Sequence, residues 1–289
     1  MRTVRTVAEL RATLRGPRLQ GSSIGLVPTM GALHEGHLSL IRSARDECDV
    51  VVVSLFVNPS QFGPGEDLEV YPRDEERDAG LAAEAGADVL FAPALDEVYP
   101  DGFATAVTVA GLGEPLCGAV RGPEHFTGVA TVAAKLLNMA GPDVAYFGQK
   151  DAQQAAVLRR LVRDLDFPVR IEVLPTVREA DGVALSSRNA YLEGADRERA
   201  VALRRALDAA EQAVAGGERD AAAVAAAARE AMTSCGVEPE YVELVAPDTM
   251  AAVQEVQGDV LVAVAARIGP ARLIDNTIVN LNGKATCTA

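Results

Sequence analysis

The run Pro28-Thr29-Met30-Gly31-Ala32-Leu33-His34-Glu35-Gly36-His37 decides how this chain is read. It follows Ile24-Gly25-Leu26-Val27, a short apolar segment of the kind that forms a buried strand. It precedes Leu38-Ser39-Leu40-Ile41-Arg42-Ser43-Ala44, where Leu38, Ile41 and the aliphatic stem of Arg45 recur at helical spacing. The two histidines therefore stand where a strand has ended and a helix begins. At i and i+3 they face the same way on the first turn. There the unpaired backbone N–H groups and the helix dipole favour an anion. Two imidazole donors at such a place suggest a phosphate site; the alternative is a pair of surface histidines on an ordinary helix. The chain has 3 histidines in all, and two of them lie within this run behind a glycine-containing turn, which favours the phosphate site.

Outward from this run, strands and helices alternate. Val7, Leu10, Arg11 and Leu14 predict a short amphipathic helix stopped by Gly16-Pro17. The β-branched stretch from Val50 to Val57 reads as a strand buried on both faces, as in a parallel sheet. A loop follows at Asn58-Pro59-Ser60-Gln61-Phe62-Gly63, then a helix over 73–84 and a strand over 87–91. Val129, Val132, Ala133, Leu136 and Leu137 form the stripe of a helix over 124–140. A strand at 143–147 ends at Gly148-Gln149-Lys150-Asp151, followed by a helix bearing Ala155, Leu158, Leu161 and Val162 and a strand at 169–173. This alternation predicts an α/β fold with a doubly wound, Rossmann-like parallel sheet.

Composition changes after Arg188. The alanine-rich stretch over 196–231 predicts two helices broken at Gly216-Gly217, with Val201, Leu203, Leu207 and Val214 as a core face. Apolar runs at 241–245, 260–264 and 272–276 predict a small sheet. The expected division is residues 1–176 as a first domain and 177–289 as a smaller C-terminal α+β domain.

The bulk numbers narrow the function. At 289 residues the length suits about two domains. A net charge of −14 argues against nucleic acid as a partner, because such binding neutralises phosphates with Lys and Arg. Cys48, Cys117, Cys235 and Cys287 are scattered without CxxC spacing, which points to reduced thiols and no zinc site. The opening residues lack the apolar core of a signal peptide, and no stretch reaches the roughly 18 apolar residues of a membrane span. A cytoplasmic protein without a membrane partner is the expectation.

His34-Glu35-Gly36-His37 resembles the HIGH-type element of the adenylyl-transferring nucleotidyltransferases. The longer string from Val27 to His37 is similar to the pantoate–β-alanine ligases, as are Phe147-Gly148-Gln149-Lys150-Asp151-Ala152-Gln153-Gln154 and Thr176-Val177-Arg178-Glu179-Ala180-Asp181-Gly182. Ala184-Leu185-Ser186-Ser187-Arg188-Asn189 resembles the mobile KMSKS-like loop of the same superfamily. The likeness spans nearly the whole chain, most closely over 26–63, 121–154 and 175–191.

This resemblance implies ATP-dependent condensation of pantoate with β-alanine through a pantoyl adenylate, with Mg²⁺ accompanying ATP. It implies catalytic roles for His37, His34, Lys150 and Arg188. ATP would be held by Met30, Gly31, Ala32, Leu33, His34, Glu35, Gly36 and His37. Gly148, Gln149, Lys150 and Asp151 would hold it too, as would Val177, Leu185, Ser186, Ser187 and Arg188. Gln61 and Gln154 would bind pantoate and Gln61 also β-alanine, since a neutral amide orients a nucleophilic carboxylate without blunting it. A homodimer is implied, with a second domain that closes over the site. The chain departs from the family at Arg121-Gly122-Pro123-Glu124-His125, where one extra residue separates Arg from His. Gln149, Ala152 and Leu185 replace an acid, an aromatic and a Met. Two alternatives are a related nucleotidyltransferase acting on another acid or phosphate, and a nucleotide sensor without turnover.

Overall fold

The apolar segment at 24–29 and the β-branched run after it are neighbours in a six-stranded sheet, all of whose pairings are parallel. The fold, taken from a computed structural model, is described over residues 1–280. Its strands are β1 (Arg2–Val4), β2 (Ile24–Thr29), β3 (Val50–Leu55), β4 (Val89–Phe91), β5 (Val144–Gly148) and β6 (Arg170–Leu174). The helices between them are α1 (Val7–Leu19), α2 (Glu35–Glu47), α3 (Glu75–Glu84), α4 (Leu95–Val98), α5 (Cys117–Arg121), α6 (Pro123–Ala140) and α7 (Ala152–Asp164).

Strand order is β1-β4-β3-β2-β5-β6. From β2 the chain steps outward through β3 to β4, then returns to lay β5 on the other side of β2. The switch point therefore falls between β2 and β5, where doubly wound sheets take their ligands beyond the carboxyl ends of the strands. Val27, Val51, Val53, Ile41, Ala44 and Leu90 form a core cluster between this sheet and its helices. Each is fully buried, as strands covered on both faces require.

The chain divides into two compact units, one of 1–148 with 157–174 and one of 149–156 with 175–289. The second begins at Pro175, two residues before the expected boundary, and takes in the segment after β5 as well. It contains α8 (Gly194–Arg199), α9 (Val201–Ala215), α10 (Ala221–Ser234), β7 (Pro239–Val245), β8 (Val260–Ile268) and β9 (Ala271–Val279). The three strands form an antiparallel sheet in the order β7-β8-β9, so β9 is an edge strand. Leu203, Leu207, Val224, Met232, Val242, Val262 and Val264 fill its core.

Two expectations needed correction. Gly16-Pro17 does not stop the first helix, which runs to Leu19 with Pro17 inside it. A proline in the last turn forfeits one backbone hydrogen bond, and the turn closes regardless through Gln20 N–H to the Gly16 and Pro17 carbonyls. The alanine-rich stretch also contains a separate short helix, α8, before the two that were expected. Among the described residues no helix is long and apolar enough to cross a membrane, and Cys48, Cys117 and Cys235 form no disulfide. Cys287 lies outside the described residues.

Candidate active site

The chain leaves β2 through a backbone that only a few residues tolerate. Gly31 has φ 90° and Ala32 φ 51°, both left-handed. A Cβ at Gly31 would lie 2.9 Å from Leu55 Cδ1 and 3.0 Å from Asp78 Oδ2, so glycine is required there for space as well as for φ. Asp78, on α3 and 1% exposed, holds this turn. It accepts from Ala32 N–H and Leu33 N–H, each at 2.8 Å. Arg77 braces it, donating to Asp78 Oδ1 at 3.2 Å and to the Leu33 carbonyl at 3.1 Å. The Leu33 side chain belongs to the core, and its backbone N–H and carbonyl are engaged by Asp78 and Arg77.

His34 is the N-cap of α2, in extended conformation (φ −138°). Its Nδ1 accepts from Gly36 N–H at 3.2 Å, and His37 Nδ1 accepts from His34 N–H at 3.4 Å, which together make a reciprocal capping box. The rings lie 4.1 Å apart between centroids. An Nδ1 that accepts a hydrogen bond carries a lone pair, so each neutral ring holds its proton on Nε2. Two of the N–H groups expected to be unpaired at this helix start have partners. Gly36 N–H is taken by the His34 ring and His37 N–H by the His34 carbonyl at 2.8 Å. With Nδ1 of each ring engaged in the cap, the donor that each neutral imidazole carries is its Nε2–H. Glu35 is exposed and paired with Arg42 on the same helix.

Gln61 ends a 3₁₀ turn at Pro59–Gln61 after β3. Its side chain accepts from Asn58 Nδ2 at 3.0 Å and sends Nε2 to Met30 Sδ at 3.0 Å. The structure thus brings Gln61 to the end of β2. A thioether is a weak acceptor, so a carboxylate or hydroxyl competes well for that N–H. Asn58, 1% exposed, also donates to the Gly128 carbonyl at 3.2 Å and accepts from Tyr99 OH at 2.9 Å. Sequence reasoning missed Asn58 and Asp78. Asn58 before a proline carried the signal of a turn-initiating Asn, whereas nothing local marked Asp78.

The extra residue between Arg121 and His125 does not part them. Arg121 Nη1 lies 3.0 Å from His125 Nε2, and His125 Nδ1 lies 2.7 Å from the Gln61 carbonyl. A carbonyl only accepts, so Nδ1 donates and Nε2 of the neutral ring accepts from the guanidinium. Arg121 also donates to both carboxylate oxygens of Glu66. Burial pushes the Glu66 carboxyl up, but the hydrogen bond and charge of Arg121, helped by Gly63 N–H, bring it below its ordinary value. This ion pair therefore stabilises fully above the ordinary carboxylate range and fails as pH drops through the lowered value.

The remaining expected residues, apart from Gly148 at the carboxyl end of β5, lie in the second unit. Gln149, Lys150 and Asp151 form a 3₁₀ turn, and Gln154 follows in the first turn of α7. Asn276 of β9 donates to the Gln149 and Lys150 carbonyls at 3.0 and 2.9 Å and accepts from Gln149 Nε2 at 3.0 Å. Val177 and Leu185 face each other across a hairpin, Leu185 N–H donating to the Val177 carbonyl at 3.0 Å. Ser186 caps a second 3₁₀ turn, Ser187–Tyr191, that carries Ser187 and Arg188. Asn189 secures it to the Ala184 carbonyl at 3.1 Å and to Glu179 at 3.2 Å.

Comparison with known proteins gives a consistent answer. A family model described as pantoate–β-alanine ligase matches residues 2–278. The pantothenate synthetase of Moorella thermoacetica is 53% identical over 98% of this chain and 100% of its own. The crystal structure of pantothenate synthetase from Thermus thermophilus superposes with a TM-score of 0.91 at 51% identity, covering 96% of this chain and 98% of that one. A pantoate–β-alanine ligase from Francisella tularensis, solved with β-γ ATP and β-alanine, gives a TM-score of 0.79 at 34% identity, covering 96% of this chain and 97% of that one.

Proposed function

This chain belongs to the pantoate–β-alanine ligase family, and we propose how its own side chains divide the work of that reaction. The enzyme is a ligase that condenses (R)-pantoate with β-alanine at the expense of ATP. A pantoate carboxylate oxygen attacks the α-phosphorus, the bond to the bridging oxygen breaks and pyrophosphate leaves. The β-alanine nitrogen then attacks the acyl carbon of the adenylate, loses a proton and expels AMP. ATP enters as its Mg²⁺ complex, the ion held mainly by phosphate oxygens.

One observation carries the assignment of roles: the capping box that occupies Nδ1 of both His34 and His37, and so leaves the proton of each neutral ring on Nε2, at the start of α2 just after β2. Donors set in place before the reaction stabilise charge as it spreads over the phosphate oxygens, with no reorganisation needed at that moment. Lys150 and Arg188 are the cationic partners in this reading. Ser186 and Ser187 add hydroxyls, and Asp151 accepts from the ribose. In this reading the first unit supplies His34, His37, Gln61 and Gly148, and the second supplies Lys150, Asp151, Gln154 and the Ser-Ser-Arg segment. The working enzyme is a cytoplasmic homodimer, to be checked by light scattering of the purified protein. Pantoate labelled with ¹⁸O in its carboxylate should transfer one label to AMP. AMP free of label would mean that no pantoyl adenylate forms.

Gln61 and Gln154 orient pantoate in this reading. Gln61→Ala and Gln154→Ala should each raise the pantoate KM and slow adenylation, an unpaired polar group on the ligand costing about 1–3 kcal/mol. Gln61→Glu should be worse than Gln61→Ala, because it sets a second carboxylate beside the nucleophile. Calorimetric titration should show ATP binding unchanged in all three variants. Lost ATP binding with normal pantoate binding would assign these glutamines to the wrong ligand.

A further inference from the structure

We propose that Asn276, on the edge strand β9, is a positioning residue for adenylation that sets where the Lys150 ammonium stands. The proposal rests on the reading of Lys150 as a donor to the triphosphate. Asn276 is only 5% exposed, yet it is polar and its amide is used at both ends. Its Nδ2 donates to two consecutive carbonyls, Gln149 at 3.0 Å and Lys150 at 2.9 Å, and its Oδ1 accepts from Gln149 Nε2 at 3.0 Å. An apolar residue would fill such a place more cheaply if packing were the only need, since a buried amide must find all its partners. What the amide adds is a fixed conformation of the 3₁₀ turn at 149–151. Lys150 needs that support, because the Asp151 carboxylate is 3.8 Å from its ammonium, too far for a hydrogen bond to hold it.

The neighbouring residue extends the point. Asp275, 3% exposed, accepts from both Nη1 and Nη2 of Arg178, at 2.6 and 3.0 Å, and from Asn276 N–H at 2.8 Å. Arg178 in turn donates to the Gly182 carbonyl at 3.0 Å, inside the hairpin that leads to Ser186–Arg188. Consecutive side chains leave a strand on opposite faces. Two adjacent residues of one strand thus fix both the Lys150 turn and the base of the Ser-Ser-Arg hairpin. Their spacing is set by one backbone step, the most rigid ruler a protein has. Catalysis by placed charges needs such rigidity, as a shift of about 1 Å can cost about 10² in rate.

The test is pantoate-dependent exchange of pyrophosphate into ATP in Asn276→Ala, Lys150→Ala and the double variant, with thermal melts of each. Asn276→Ala should slow exchange at saturating substrates by about 10² and leave the pantoate KM within about twofold. Lys150→Ala should slow it by about 10²–10³. In the Lys150→Ala background Asn276→Ala should add no more than about a further twofold, because it acts through a group already gone. Asn276→Ser keeps one short donor and should fall between wild type and alanine; it is the variant to read if alanine does not fold. The same loss from Asn276→Ala with or without Lys150 would overturn the proposal, and so would wild-type exchange in Asn276→Ala or Asn276→Ser while Lys150→Ala is slow. Near-normal exchange in Lys150→Ala would instead remove the underlying reading of Lys150, and the proposal with it.

Discussion

His37→Ala and His34→Ala should each slow formation of the adenylate by about 10²–10³, the usual loss for one transition-state donor. The structure adds a second, separable effect. Each ring also caps α2 through Nδ1, so each alanine should lower stability by about 1 kcal/mol, the ordinary worth of a helix cap. The two contributions come apart at His34. Asn is among the best N-cap residues, so His34→Asn should regain most of the lost thermal stability while staying as slow as His34→Ala. Pre-steady-state measurement of AMP formation beside a calorimetric melt reads both. Fast adenylation in His34→Asn would mean that His34 serves the helix alone.

The second large effect is expected at a residue with no chemistry of its own. Gly128 lies on α6, and a Cβ built there would fall 2.1 Å from the Ser60 carbonyl oxygen and 2.8 Å from Gln61 N. No side chain fits, so in Gly128→Ala either the helix or the turn at Pro59–Gln61 must move. Overpacking of this kind costs about 1–3 kcal/mol in stability. The more telling loss is functional: the turn carries Gln61, and Asn58 ties it to the Gly128 carbonyl. Pantoate KM in Gly128→Ala should rise by about 10² or more, as displaced positioning groups do, with ATP affinity unchanged by calorimetry. Normal pantoate saturation in a stably folded Gly128→Ala would show that Gln61 does not have to stand where this turn puts it.

Much of this arrangement was legible in the sequence because it is written locally. A β-branched run, a glycine turn and helical spacing all lie within 24–57, so β2, α2 and β3 could be read before any contact was known. The alternation that follows yields a parallel sheet by the same logic. What escaped reading depends on residues far apart in the chain. β1 is three residues with one buried side chain, and it is a strand only because β4 lies beside it. Asp78 reaches back to Ala32 and Leu33, and Asn276 to Gln149 and Lys150, across spans that leave no periodicity. The capping box was hidden for a different reason. Its usual signature is Ser or Thr followed by Glu or Gln, and here two histidines perform the same exchange. The glutamines were visible as residue types, yet Asn58 and Gly128, which place Gln61, appeared as an ordinary loop residue and an ordinary helical glycine.

The central claim is that pantoate is activated as an acyl adenylate before the amine arrives. Exchange of labelled pyrophosphate into ATP tests it most directly. The exchange should require pantoate, proceed without β-alanine and be slowed about 10²–10³-fold in His37→Ala. Exchange that runs equally fast with no pantoate present, or that begins only when β-alanine is added, would contradict it.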